Sequence, residues 1–470
     1  MTGNYQTDRQ DLSTLLYLKK NFDIVRRDLI IAEHSSSLFF VDGFIKDEIF
    51  EKIFEFLLKI TPKDIKGIHN MQEFSLTNIP YIEVAWESDN KKIALAILSG
   101  QAAIIIDGFN EALLVDTRTY PVRSIDEPEK DRSLRGSRDG FVETFIFNTA
   151  MIRRRIRDPK LRMEYYQIGS SSNVDVAISY IDGKADMKLV EKLRKKLGQI
   201  NISGISMTSQ ALSEVLIPTC FFNPFPKVRF TERPDFASAC LLEGKVLLIM
   251  DNSPSVMVFP NSFADFTKET DDYYFPPLTG TYVRILRGIV SILTVILTPL
   301  TLILLNNPEM IPDWLSFIDT KEEHLIPFFF QFLLLELVID GLRLASLNTP
   351  NTLSGSLGII GGLLLSEFAV NAGWFVPETI IYMAFVAISS YAQPSFEMGY
   401  ALKFCRIFIL VLSQFLNFWG FFGGIAVVTL VAGFTKTLSG RGYLYPLIPF
   451  NARDFRKLFI RTGIKNNNNH

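Results

Sequence analysis

Three charged residues inside a long apolar run are the side chains in this sequence best placed to do chemistry. Glu336, Asp340 and Arg343 fall within Phe328–Leu347 at positions i, i+4 and i+7, so a helix there carries them as one stripe. Charges at membrane depth are costly unless paired or hydrated, and such a stripe faces a bundle interior or water. The alternative is a helix lying partly at the membrane interface, with Asp340 and Arg343 as a local pair. Glu367, on the neighbouring apolar segment, is the natural cross-helix partner.

That neighbouring segment, Leu357–Phe375, is sorted by size. On a helical wheel Ser354, Gly358, Gly361, Gly362, Ser366, Ala369 and Gly373 share one side. Leu353, Leu357, Ile360, Leu364 and Phe368 share the other, and Glu367 falls on the bulky side. Small faces serve close helix packing. They also suit a pore wall, where small side chains leave room and backbone can meet water. Both readings stand on the sequence.

Other chemistries are excluded by what the chain lacks. There is no phosphate loop, no HExxH and no CxxC. Gly355-Ser-Leu-Gly358 lies in an apolar helix rather than after a strand, so it is no dinucleotide fingerprint. His34, His69, His324 and His470 are scattered, and Cys220, Cys240 and Cys405 form no paired framework. Asp107 and Asp251 sit at turns, which accounts for them. The expectation is a protein that is not an enzyme, with no metal and no cofactor. A net charge of −2 gives no call for nucleic acid.

The elements that must position these residues follow from hydropathy. The chain has 470 residues and 40 Phe, and a mean hydropathy of +0.20. Charge is dense up to about Tyr282, and apolar runs dominate from Val283 to Gly433. Five stretches approach the length a span requires: Ile285–Leu305, Phe328–Leu347, Leu357–Phe375, Thr379–Tyr391 and Phe404–Gly433. They predict four to five spans of an all-α, polytopic membrane domain over 283–435, followed by a polar basic tail, 436–470. The N-terminus lacks a secretory pattern, so the soluble region is expected in the cytoplasm. Asn306–Glu323 is acid-rich and suits the outer side, whereas Lys403, Arg406 and the basic tail read as inside. Lys403 and the tail flank one long segment, so either it folds back at Gly420–Gly424 or one marker misleads.

The soluble half reads as a duplication. Phe40-Val-Asp-Gly43 recurs as Tyr180-Ile-Asp-Gly183 and Glu51-Lys-Ile53 as Glu191-Lys-Leu193, both displaced by about 140 residues. Leu98-Ser-Gly and the apolar run to Asp107 recur from Leu242-Glu-Gly to Asp251. Each copy predicts a strand ending at Asp-Gly, a turn pair suited to positive φ, then a helix and a strand pair. The fold class is therefore α/β or α+β, in two similar subdomains, 1–123 and 163–282. Between them, 124–162 reads as a linker with one helix ending in Arg153-Arg-Arg-Ile-Arg157. Those arginines suit a solvated helix end or contact with anionic headgroups.

The segment Phe222-Asn-Pro-Phe-Pro-Lys-Val-Arg-Phe-Thr-Glu-Arg-Pro-Asp235 resembles the hallmark of the GerA family, A-subunit type. It contains Pro224, Pro226, Glu232, Arg233 and Pro234. Its prolines predict an extended, rigid connector. The resemblance extends through Leu134-Arg-Gly-Ser-Arg-Asp-Gly-Phe-Val-Glu143, the 153–159 arginine stretch, Asp272-Tyr-Tyr274 and Pro446–Pro449. It implies a multi-pass subunit of a nutrient receptor in the spore inner membrane, with its N-terminal region on the spore core side. The implied partners are a transporter-like B-type subunit, a lipoprotein C-type subunit, further copies of itself and the lipid membrane. The A-type subunit of such a receptor is expected to oligomerise into a nutrient-gated cation channel. A non-conducting scaffold is the alternative, and a secondary transporter is disfavoured because no inverted repeat is visible. Gln167-Ile-Gly-Ser-Ser-Ser-Asn173 departs from the family pattern, in which basic residues follow the glycine, and the N-terminus is short by that standard.

Overall fold

The computed structural model describes residues 1–120, 136–202, 204, 208–217, 220–269, 271–314, 324–348, 368–440 and 442–460. The chain forms two compact units. The first is Met1–Pro218 with Val228–Pro260, and the second is Thr219–Lys227 with Asn261–His470.

The first unit holds two antiparallel five-stranded sheets. One contains β1 (Ile24–Ile31), β2 (His34–Val41), β3 (Val84–Glu87), β4 (Ala102–Ile106) and β5 (Ala112–Val115). The other contains β6 (Leu161–Ile168), β7 (Val174–Ile181), β8 (Arg229–Thr231), β9 (Val246–Met250) and β10 (Val256–Phe259). Their orders, β1-β2-β4-β5-β3 and β6-β7-β9-β10-β8, are the same once renumbered. The duplication read from Asp-Gly pairs is therefore a duplication of topology. Wholly antiparallel pairing with helices on the faces makes each half α+β.

Continuous apolar runs make the central strands because both sheet faces are covered. In β4, Ala103 and Ile105 pack under helices Tyr5–Leu15 and Asn90–Leu98, beside Leu12 and Ile97. The alternate residues Ala102, Ile104 and Ile106 pack under Asp47–Lys59 and Met71–Asn78, beside Ile53 and Phe74. A one-residue slip would exchange these two cores.

Phe145–Arg155, read from sequence as a helix between the copies, occupies the place in the second half that Tyr5–Leu15 holds in the first. Tyr5 N donates to Asp107 Oδ1 at 3.3 Å, and Phe145 N donates to Asp251 Oδ1 at 3.2 Å. Gly43 and Gly183 have φ of 81° and 82°, so both Asp-Gly turns need the left-handed region. Their surroundings differ. A Cβ on Gly43 would lie 2.9 Å from Ile146 and 3.1 Å from Ala150, whereas one on Gly183 would meet nothing within 4 Å.

Arg154 and Arg157 at the end of that helix are exposed, as a solvated end would be, but Arg153 is not. Arg153 is fully buried, and its Nε and Nη2 donate to Asp23 at 2.7 and 3.0 Å. Asn21 Oδ1 accepts from Met163 N at 3.0 Å while its Nδ2 donates to Leu16 O at 2.9 Å. This buried knot ties β1 of one half to β6 of the other. Arg155 pairs with Asp139, and Arg154 stacks 4.2 Å from the Tyr120 ring centroid. Neither the headgroup reading nor the free basic turn survives for Arg153, because a guanidinium this deep requires its carboxylate.

The proline-rich motif is also more than a connector. Thr219–Lys227 belongs to the second unit, Arg229–Thr231 is the edge strand β8, and Pro234 opens helix Pro234–Leu242 at its first turn. Arg233 is buried between Asp235 and the Ser137 carbonyl. Glu232 supplies its carbonyl to Phe141 N at 2.8 Å. Pro224 and Pro226 flank Phe225, which packs against the Tyr443 ring at 5.6 Å.

The second unit is helical. Pro277–Asn306 and Phe328–Asn348 are followed by the helical residues Ala369–Asn371, then Pro377–Tyr391, Phe396–Phe434 and Ala452–Phe459. Phe396–Phe434 has 39 residues and an internal break at Asn417, where φ is 51° and ψ is −131°. A straight helix of that length would reach roughly 58 Å, about twice a bilayer core. Instead the chain folds back. A Cβ on Gly420 would fall 1.9 Å from Leu412 O, and one on Gly424 3.1 Å from Ile409. The two arms, 396–416 and 418–434, are antiparallel, with Met398 and Leu402 in the same core as Ala432. The fold-back expected at Gly420–Gly424 turns at Asn417, and the glycines seat one arm against the other.

Helix ends sort to two levels. Leu305, Phe328, Phe332, Phe375 and Val376 share one core, and there Asn307 and Asn417 exchange amide hydrogen bonds of 3.2 Å each way. At the other level Ser291 bonds Gln393 at 3.1 Å, and Phe266, Met398, Ala432 and Tyr443 pack together.

Candidate functional site

Between these two levels the second unit holds a set of opposed charges, of which Glu336 and Arg406 are buried and Asp340 is partly exposed. Glu336 and Asp340 project from Phe328–Asn348 one turn apart, and Lys403 and Arg406 project from the 396–416 arm. Arg406 Nε donates to Glu336 Oε1 at 2.7 Å, and its Nη2 donates to the same oxygen. Arg406 Nη1 reaches the Thr294 carbonyl at 3.0 Å, adding the helix Pro277–Asn306 to the cluster. Lys403 Nζ lies 3.3 Å from Glu336 Oε2 and also pairs with Asp340. Two carboxylates face two cations, so the set is neutral. The Arg406 and Glu336 side chains are 2% and 8% exposed, which makes mutual pairing a condition of their burial.

Arg343, third in the sequence stripe, does not pair with Asp340. Its guanidinium lies 4.2 Å from the Phe396 ring centroid and 5.1 Å from those of Tyr391 and Tyr400. Three aromatic faces satisfy the cation in place of a carboxylate. Glu336, Asp340, Arg343, Lys403 and Arg406 together border a cavity of about 20 Å³, enough for a single water.

Polar side chains elsewhere in the bundle are satisfied in the same way. Gln331 is fully buried; its Oε1 accepts from Val376 N and Thr379 Oγ1 at 3.1 and 2.8 Å, and its Nε2 donates to Ile326 O at 2.7 Å. It caps the start of Pro377–Tyr391, where backbone donors have no helical partner. At the entrance of Pro277–Asn306, buried Asp272 accepts from Arg287 at 3.1 Å and from Arg284 at 3.4 Å. That gives the Asp272-Tyr-Tyr274 motif a physical role.

In the structure the partners of Glu336 and Asp340 are Lys403 and Arg406, rather than Arg343. Glu367, Ser354, Gly358, Gly361, Gly362 and Ser366 lie outside the described residues. Ala369 lies in the helical residues Ala369–Asn371, where its carbonyl accepts from Trp374 N at 3.0 Å. Lys403 and Arg406 were read from sequence as markers of an inside loop. They lie within a helix, Arg406 buried and Lys403 partly so, and their charge reports pairing with Glu336 and Asp340. The available signal was their i, i+3 spacing within an apolar run, matching an i, i+4 acidic pair in another. Thr294 carried no signal, because it contributes only its backbone.

Comparison with known proteins gives the chain its family. The family model described as Bacillus/Clostridium GerA spore germination protein matches residues 14–470. Stage V sporulation protein AF of Bacillus subtilis (strain 168) is 32% identical over 445 residues, covering 94% of this chain and 89% of that protein. Spore germination protein KA of the same organism is 30% identical over 446 residues, covering 93% and 81%. Spore germination protein GerLA of Bacillus cereus is 30% identical over 388 residues, covering 82% and 78%. The crystal structure of the N-terminal domain of the A subunit of the Bacillus megaterium spore germinant receptor GerK3 aligns at 23% identity and a TM-score of 0.42, covering 56% of this chain and 97% of that one. The chain belongs to the GerA family of spore germination proteins, of the A-subunit type.

Proposed function

We propose that this chain is the A-type subunit of a nutrient-sensing receptor in the spore inner membrane, and that copies of it assemble into a nutrient-gated cation channel. The observation that carries the reading is the neutral, ion-paired set of Glu336, Asp340, Lys403 and Arg406 held inside an apolar bundle. Charges placed so deep mark ion pathways or switching elements in membrane proteins. The set joins three helices, so any motion that parts them must break buried ion pairs together. On this reading the cluster holds the helices closed. The small face of Ser354, Gly358, Gly361, Gly362, Ser366 and Ala369 lines the conduit.

The fold-back at Asn417 supports a multi-pass arrangement in which the basic tail and the start of Pro277–Asn306 share one side. That is the inside by the excess of Lys436, Arg453 and Arg456 over the acidic sequence 307–323. The N-terminal region would then face the spore core, and B-type and C-type subunits would complete the receptor.

A scaffold that transmits without conducting is favoured by one fact: the four charges balance, as a purely structural brace would. The test is cation release from vesicles with an oligomer assay on the same samples. Gly362→Leu should lower flux and leave assembly intact. Loss of assembly instead would place that face in helix packing, and normal flux from intact oligomers would remove it from the pore.

A further inference from the structure

The duplication gives the two halves of the first unit one topology but not one charge. Helix Asp47–Lys59 of the first half and helix Met187–Gly198 of the second follow equivalent strands, with their residues displaced by 140 (187 against 47). Their buried positions correspond: Ile53 and Leu57 in one, Leu193 and Leu197 in the other. Their exposed positions do not. Glu48 and Glu55 are replaced by Lys188 and Lys195, and all four are exposed. Residues seven apart share one side of a helix, so each pair marks one surface. Counted whole, the first helix sets four carboxylates against two lysines, and the second sets five basic residues against Glu191. Apolar side chains accompany the acidic surface. Phe56 and Leu58 are 43% and 59% exposed, and Phe56 borders an open cavity of about 230 Å³ with Ile49, Ile79 and Tyr81. In the second half the place of Phe56 is taken by Lys196, which donates to the Leu216 carbonyl.

The two surfaces face opposite ways. Asp47–Lys59 packs on one face of its sheet and Tyr5–Leu15 on the other. Just beyond Tyr5–Leu15, the Tyr17 ring centroid lies 3.5 Å from the Arg162 guanidinium. Arg162 and Glu164 are two residues apart on β6 and share one face of it, and Glu164 accepts from Arg194 of the basic helix at 2.7 Å. The basic helix therefore lies on the Tyr5–Leu15 side, away from the acidic one. We propose that copies of this chain associate head to tail, with Asp47–Lys59 of one copy against Met187–Gly198 of the next. A two-fold contact through either helix alone would oppose like charges, and one two-fold contact does not reach both surfaces when they face opposite ways. A head-to-tail contact pairs unlike charges, and successive copies close into a ring where the rotation allows. The occupant of each surface is thus the other surface on a second copy, and exposed Phe56 and Leu58 give that contact an apolar centre.

The inference deepens the assembly reading above and rests on it. Full-length protein in detergent micelles should be sized by native mass spectrometry, then treated with a carbodiimide that joins a carboxylate directly to an adjacent amine. The expected result is covalent dimers linked between Glu48 or Glu55 and Lys188 or Lys195, in a yield that falls as salt is raised. Glu48→Lys/Glu55→Lys and Lys188→Glu/Lys195→Glu should each lower that yield at least about tenfold, since each sets like charges opposite one another. Combining all four changes in one chain, or co-expressing the two double variants, should restore the dimers, which a folding defect would not. A yield indifferent to both reversals, or lost and regained in neither rescue, overturns the proposal. An effect of the lysine reversals alone, with loss of phosphatidylglycerol retained on the purified protein, overturns it in favour of a headgroup contact. Wild-type protein that stays monomeric defeats the assembly reading itself, whereas oligomers whose cross-links map elsewhere defeat only the head-to-tail contact.

Discussion

Arg406→Gln is the substitution whose cost the geometry fixes most tightly. The wild-type guanidinium gives Glu336 a 2.7 Å bond from Nε and a second from Nη2, and takes the Thr294 carbonyl at 3.0 Å. Glutamine removes the charge and the fork, leaving a carboxylate that is 8% exposed with Lys403 at 3.3 Å as its remaining cation. Removing one partner of a buried pair costs about 3–5 kcal/mol, mostly from the charge left behind. Because Lys403 remains, the lower end of that range is expected. The double variant Glu336→Gln/Arg406→Gln removes the stranded charge, so its cost should fall short of the sum of the single costs by about 2 kcal/mol or more. Unfolding of the purified protein in mixed micelles, titrated with a denaturing detergent, supplies all four corners of the cycle. A single-variant cost below about 0.5 kcal/mol, or additive costs in the double variant, would refute the claim that this pairing holds the helices together.

Gly43→Val should destabilise the first unit more than Gly183→Val. Both incur about 1–2 kcal/mol for left-handed φ, but only Gly43 faces Ile146 and Ala150 at 2.9 and 3.1 Å; paired thermal melts check the ranking. Gly420→Ala should open the helical hairpin, since its Cβ would fall 1.9 Å from Leu412 O; the readout is loss of a cross-link between Cys405 and a cysteine introduced at Ala432, which share one core across the two arms. Burial would raise the Glu164 pKa, but hydrogen bonds from Arg194 and Tyr180 and the Arg194 charge outweigh it and hold it below 4.5. A depressed folded-state pKa gives stability that is fully present above 4.5 and lost as pH falls through the folded value. Glu164→Gln should therefore flatten the acid limb of the stability profile, and an unchanged limb would remove Glu164 from acid unfolding.

Local features were legible in the sequence, and features set by distant partners were not. The two Asp-Gly turns could be read because φ of 81° and 82° demands glycine wherever the chain runs. The apolar helices could be read because membrane span and core both need unbroken hydrophobic length. Lys403 looked like a loop marker because its partners lie 63 and 67 positions away, and the Arg406–Glu336 separation of 70 is equally invisible to local pattern. The hairpin was signalled three residues late. Gly420 and Gly424 are required for close approach of the arms, while the turn itself is made by Asn417 with its amide held by Asn307. Arg153 misled for a related reason: a basic helix end usually suits solvent, and only Asp23, 130 residues earlier, shows that it is buried. The edge strands β3 and β8, of 4 and 3 residues, are too short to leave a period.

Single-channel recording of the purified full-length protein in planar bilayers tests the central claim most directly. The account predicts discrete cation-selective openings, with the fraction of time spent open raised by Arg406→Gln, because that change removes a buried tie between the helices. Oligomers of confirmed size that insert and pass no unitary current, in wild type and variant alike, would contradict it and leave the chain as a non-conducting scaffold.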